Sequence, residues 1–127
     1  MPPGRPVKTA LTAVVLLVVV EHVWFLVLEM FLWTRPLGLK TFRNTPEFAR
    51  QSAALAANQG LYNGFLAAGL LWGLCHPIPE VALQITAFFL ACVAVAGIVG
   101  AITVSKRIFF IQALPALVGL ALAGLSR

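Results

Sequence analysis

Glu21, His22 and Glu29 lie inside VEHVWFLVLEM, residues 20–30, a run whose other members are all apolar or aromatic. His22 and Glu29 are seven residues apart, so on a helix they share one stripe to within about 20° and stand roughly 10 Å apart along the axis. Glu21 is rotated by about 100° from His22. An ionised group at the centre of a membrane helix costs about 2.5–3.5 kcal/mol on insertion scales, so the trio must face protein or water. Two carboxyls in unequal surroundings can divide their roles, one protonated and one ionised, with an imidazole tuning one of them. That is the equipment of acid–base chemistry on a neutral substrate. The remaining acidic residues, Glu47 and Glu80, fall where water or headgroups reach them.

The groups that could face this trio stand in the next apolar segment. At a helical spacing Asn58, Gln59, Tyr62 and Asn63 fall within an arc of about 140°, with Ala53, Ala57, Gly60 and Gly64 on the other side. An antiparallel hairpin that matches Trp33 with Ser52 brings Glu21 and His22 to the depth of Tyr62, Asn63 and Gly64. Glu29 then comes to the level of Ala56 to Gln59, and Gln112, from a later helix entering on the same side, reaches a similar depth. The expected site therefore has Glu21, His22 and Glu29 as catalytic groups, with Asn58, Gln59, Tyr62, Asn63, Gln112 and Trp33 as ligand contacts. Pro115 removes one backbone hydrogen bond from the helix of Gln112 and would leave a carbonyl exposed toward that site. The structural alternative is a polar core whose interhelical hydrogen bonds only fix helix register.

No metal and no cofactor are expected. There is no ExxH or HExxH pair, and the rise of about 10 Å from His22 to Glu29 exceeds what one ion bridges. Cys75 and Cys92 have no CxxC spacing and read as packed thiols. His76, beside Pro77, reads as an interfacial residue. No Ser/His/Asp or Cys/His arrangement and no phosphate-binding glycine loop is visible.

The elements that must position these groups follow from composition. Of 127 residues, 61% are hydrophobic and 10% charged, and the mean hydropathy is +0.96. A soluble domain does not have this composition. Four segments reach the roughly 20 apolar residues that a bilayer core demands: residues 10–33, 52–75, 81–104 and 108–125. The predicted fold is all-α, an integral membrane four-helix transmembrane bundle with short loops, in a single domain over residues 1–127. Arg35-Pro36 with Gly38, His76-Pro77-Ile78-Pro79, and Ser105-Lys106-Arg107 make the breaks. Thr45-Pro46-Glu47 has the order of a helix start: cap, proline in the first turn, acid at the positive end of the dipole. The first apolar run is longer than a signal-peptide core and is followed by bulky residues, so it is expected to remain as a mature helix.

The formal charge of +5 is read as a topology signal rather than a nucleic-acid footprint, because the basic residues lie between apolar runs. Arg35, Lys40, Arg43, Arg50, Lys106 and Arg107 fall in the first and third connections, against Arg5, Lys8 and Arg127 near the termini. This predicts a multi-pass protein of the cell inner membrane or plasma membrane with those connections in the cytoplasm and both termini outside. The expected partners are membrane lipid and a lipophilic small molecule, and no nucleic acid. Gly60 with Gly64, and Gly69 with Gly73, have the small-xxx-small spacing that serves packing inside a bundle or a homo-oligomer seam. Ala94, Gly97, Gly100 and Ala101 extend that pattern in the third segment.

Glu21-His22, followed by Leu28-Glu29-Met30-Phe31-Leu32-Trp33 and then by NQGLYNGFLAAG over residues 58–69, resembles the small integral membrane proteins grouped as domain of unknown function 1304. The resemblance covers essentially the whole chain. It implies a four-helix membrane protein in which the two polar motifs are parts of one site, and it names no substrate. The function expected from the residues is binding of a lipophilic small molecule and its conversion by isomerisation, epoxide opening or cyclisation. Two alternatives are a proton-coupled exporter, resembling the small multidrug transporters in size and in its first-helix glutamate, and a non-catalytic membrane accessory protein.

Overall fold

Proline sets three helix starts. Its missing N–H costs nothing in the first helical turn, where no intrahelical acceptor waits for it. The computed structural model, which describes residues 4–127, starts helices at Pro36, Pro46 and Pro79. The elements are α1 (Arg5–Met30), α2 (Pro36–Phe42), α3 (Pro46–Cys75), α4 (Pro79–Thr103), a π-helical turn (Phe109–Ala113) and α5 (Leu114–Leu125). Among the described residues the fold is all-α, with no strand. Helices α1 and α4, of 26 and 25 residues, are long and apolar enough to cross a membrane.

Helix α3 begins ahead of its apolar run because a cap, not hydrophobicity, decides where it starts, whereas α1 stops at Met30, short of the expected end at 33. Thr45 Oγ1 accepts a hydrogen bond from the Phe48 N–H at 3.2 Å, which caps α3 six residues before the apolar segment at 52. Glu47 stands in the first turn and pairs with Arg50 at 3.6 Å. At the other extreme, Pro115 has no N–H for the carbonyl four residues back, and its ring crowds that carbonyl. The chain answers with a wider turn: the Leu114 N–H reaches back five residues to the Phe109 carbonyl.

Two compact units divide the chain. Val20–Ala67 is one; Met1–Val19 with Ala68–Arg127 is the other. In the second, α4 packs on the π-helical turn and on α5, with Leu90, Val93, Ala94, Ala113 and Ala116 buried. Gly97 permits the closest approach, since a Cβ there would lie 2.5 Å from the Ala113 nitrogen. Gly69 and Gly73 face Phe89 and Thr86 in the same unit.

In Val20–Ala67, α1 ends at Met30 and the chain turns through α2 into α3. Trp33 Nε1 donates to Ser52 Oγ at 3.1 Å, Ser52 donates on to the Phe48 carbonyl at 2.6 Å, and the indole packs on Phe42 with centroids 4.8 Å apart. Gly38 is buried against the Leu32 carbonyl, where any side chain would collide with backbone. Arg43 closes α2 in the left-handed region at φ 56, and its N–H and that of Asn44 both bond to the Leu39 carbonyl. Such a residue is usually glycine, which has no Cβ to crowd the following carbonyl.

Candidate functional site

The site grows from a contact between the C-terminal half of α1 and the middle of α3. Helix backbones come closest where side chains are small. Gly60 provides that place: a Cβ there would lie 2.7 Å from Met30 Cγ, 3.1 Å from Glu29 Cβ and 3.3 Å from the Leu26 carbonyl oxygen. Gly64, one turn on, meets Leu26 Cδ1. With the backbones this close, Asn63 Nδ2 donates to Glu29 Oε1 at 2.6 Å. The bond joins two helices across 34 residues of sequence. Glu29 is only 6% exposed.

Two turns nearer the start of α1, His22 is fully buried at 0% exposure, and its ring meets that of Phe25 edge-on at 5.3 Å. Glu21 is partly buried. Its Oε1 is shielded from solvent and has no hydrogen-bond partner among the described residues. An acceptor in that position is rare, because burial without a partner forfeits the hydrogen bond that water supplied. Such an oxygen is satisfied by any ligand that brings a donor.

Of the residues singled out by sequence, Glu29 and Asn63 are brought into direct contact, with Glu21 and His22 on the same helix as Glu29. The face assigned to α3 needs correction. Asn58, Gln59 and Tyr62 are exposed, Tyr62 to 63%, with its ring tilted against Phe65 at 5.9 Å. The side of α3 that meets α1 is the one carrying Gly60 and Gly64, and Asn63 reaches Glu29 from its margin. The expected depth also shifts, since Glu29 meets Asn63 rather than the level of Ala56 to Gln59. Trp33 does reach Ser52, but from the turn after α1 has ended, so strict helical matching from that pair does not carry through to Glu29. The indole closes the turn of this unit. Gln112 belongs to the other unit, half-buried in the π-helical turn. Cys75, expected as a packed thiol, is exposed. His76 Nδ1 accepts from the Ile78 N–H at 3.2 Å and so fastens the turn between α3 and α4. Among the described residues no three His, Cys, Asp or Glu side chains stand together as metal ligands.

Sequence reasoning passed over Thr86. It is buried in the second unit and lines a groove of about 730 Å³ with Lys8, Glu80 and Arg127 at its charged end. The available signal was positional: these charges fall at the start of α1, the start of α4 and the end of the chain.

The family model described as a protein of unknown function, DUF1304, matches residues 16–123. No curated protein and no solved structure matches the chain.

Proposed function

The chain belongs to the DUF1304 family, and we propose that it is a four-helix integral membrane protein that binds a lipophilic small molecule beside Glu21, His22 and Glu29 and converts it by acid–base chemistry. The supporting observation is the Glu29–Asn63 bond, made by a buried carboxyl and an amide from another helix, on the same stretch of α1 as a Glu21 oxygen with no protein partner. Intramembrane ionisable groups are costly, and register alone needs only amides. Asn63 donates, so the Glu29 oxygen it holds acts as acceptor and the other oxygen is the one that can carry a proton. Glu21 offers an acceptor to the ligand, and His22 sits one residue along to bias the charge of its neighbours.

Glu21 and Glu29 are eight residues apart, about 12 Å along the helix axis. That separation suits a reaction in which a proton is given at one end of an elongated apolar molecule and taken from the other, as in cyclisation of an unsaturated chain. No redox partner is needed. The four spans would be α1, α3, α4 and the π turn with α5. The basic connections 31–45 and 104–108 would face the cytoplasm.

The exposed Asn58, Gln59 and Tyr62 favour a second reading, an accessory protein whose polar face on α3 is covered by a partner helix. Mass spectrometry of the gently extracted protein separates the two. A small molecule that travels with the wild-type chain and is lost on Glu21→Gln or Asn63→Leu supports the first. Retention in both variants, or a co-purifying protein lost on Asn58→Ala/Gln59→Ala, overturns it.

A further inference from the structure

The stretch that carries α1 into α3 holds every Lys and Arg of its unit. Residues 31–50 contain Arg35, Lys40, Arg43 and Arg50 against one acid, Glu47. Glu47 pairs with Arg50 at 3.6 Å. Arg35, Lys40 and Arg43 are exposed and form no ion pair among the described residues. The carboxyl that precedes them in the chain, Glu29, is buried and held by Asn63, eleven residues further along α3 than Ser52, which holds Trp33. That is about 16 Å of helix, so Glu29 does not neutralise this surface, which keeps a surplus of three positive charges. The other connection between apolar segments that carries Lys or Arg has two, Lys106 and Arg107.

Between its cations the same stretch is apolar and open. Phe31, Leu37, Phe42 and Phe48 are all exposed. Helix α2 sets the two kinds of side chain next to each other: Gly38 turns against the Leu32 carbonyl, while Leu37 and Lys40, three residues apart, stand exposed away from it. Aromatic rings interleaved with cationic side chains are the composition of a segment at headgroup level, where one end of each group is apolar and the other polar. The position in the chain agrees. Helix α1 is long and apolar enough to cross a membrane, and Arg35 comes five residues after its last residue, Met30.

We propose that residues 31–50 dock on the anionic headgroups of the bilayer surface at which α1 ends. Arg35, Lys40 and Arg43 lie among the lipid phosphates, and Phe31, Leu37, Phe42 and Phe48 sit at the boundary with the acyl chains. A nucleic acid or an acidic protein would match the charge and leave four large apolar side chains in water; an anionic lipid surface takes both. A zwitterionic surface has no net charge to set against the surplus. The proposal rests on the reading of α1 as a membrane span and is independent of the chemistry at Glu29.

The test reconstitutes the full chain in vesicles of equimolar phosphatidylglycerol and phosphatidylcholine, extracts it in mild detergent, and counts the retained lipid by mass spectrometry. Phosphatidylglycerol is expected in about fivefold excess, the preference that one surface cation gives one headgroup. R35Q/K40Q/R43Q should bring the excess below about twofold. R35K/R43K, which keeps the charge, should leave it unchanged, and so should R5Q/K8Q/R127Q, which removes the same charge from the other unit. Sodium chloride at about 0.5 M, where the Debye length is roughly 4 Å, should lower the excess, and inorganic phosphate at the same ionic strength should lower it no further. Equal retention of the two lipids by the wild-type chain, a full excess in R35Q/K40Q/R43Q, a loss in R35K/R43K, an equal loss in R5Q/K8Q/R127Q, insensitivity to salt, or extra displacement by phosphate would each overturn the proposal. Alkaline washing of pure phosphatidylcholine vesicles checks the span by itself. Release of the chain there would overturn the span and the docking together, whereas a chain that stays inserted and shows no lipid preference overturns the docking alone.

Discussion

Both units draw helices together on a glycine, and the neighbours that each glycine meets are different. Against Gly60 on α3, the nearest atom to an added Cβ would be Met30 Cγ at 2.7 Å, the movable part of a flexible side chain. Against Gly97 on α4 it would be the backbone nitrogen of Ala113 at 2.5 Å, with Cα and Cβ of that residue at 2.8 Å. Main chain in a π-helical turn cannot step aside as a methionine can. The Gly97 contact is packing between backbones and nothing more. At Gly60 the same closeness also brings the stem of Glu29 to within 3.1 Å of an added Cβ, and so sets up the bond to Asn63. A small residue thus holds a helix pair in one unit and positions a carboxyl in the other.

The largest effect should come from Gly97→Ala. Overpacking a rigid contact costs about 3 kcal/mol, toward the upper end of the usual range, and reversible unfolding in mixed detergent measures it. Should Gly97→Ala prove milder than Gly60→Ala, the contrast between backbone and side-chain neighbours is wrong.

Next comes Asn63→Leu, which removes a bond instead of adding bulk. It leaves a buried carboxyl oxygen without its donor, a loss of about 2 kcal/mol. The double variant Asn63→Leu with Glu29→Leu should recover much of that, because two apolar groups leave nothing unsatisfied. Equal stabilities for the single and double variants would mean that Glu29 finds another partner, and the bond would lose its place at the centre of the site.

Gly60→Ala should cost about 1 kcal/mol, since the methionine can move. Adding Met30→Ala should restore most of it by clearing the nearest atom. A matching experiment at Gly97 has no side chain to clear beyond a methyl. Failure of the Met30 rescue would show that the Leu26 carbonyl and Glu29 Cβ set the limit at Gly60 as well.

How far the sequence discloses this contrast depends on the residue. The polar stretch on α1 and the facing segment are legible, because charge in a hydrocarbon run has few explanations. The Thr45 cap and the Trp33–Ser52 pair are legible too, from local chemistry and from chain length. The side of α3 that meets α1 is not. Asn58, Gln59, Tyr62 and Asn63 form one arc and the glycines another, and either could face inward by periodicity alone. Backbone approach decides it, and only Asn63, at the edge of both arcs, serves the carboxyl. Helix α2 is hidden for a different reason: seven residues with a glycine inside give no periodic signal, and what holds it is Gly38 against the Leu32 carbonyl. The π turn before Pro115 follows from proline chemistry, but its extra residue per turn shows only in the backbone.

The smallest effect should be a gain, and it tests whether the unit holding Glu29 is built for stability throughout. Arg43 sits at φ 56, a conformation that costs a side-chain-bearing residue about 1–2 kcal/mol relative to the right-handed region. Glycine adopts it freely but surrenders about 0.5–1 kcal/mol of chain entropy on folding. Arg43→Gly should therefore stabilise by about 0.5 kcal/mol, read in the same detergent unfolding assay. Arg43→Lys, which keeps charge and Cβ, should change nothing, so a gain from glycine alone isolates the backbone term. A loss on Arg43→Gly would instead show that the guanidinium has work at this turn. Either result bears on the comparison, because among the described residues Arg43 is the one residue with positive φ, and the second unit offers no such position. Strain kept at the turn of the unit that holds the carboxyl is the pattern expected when a turn is selected for what it positions.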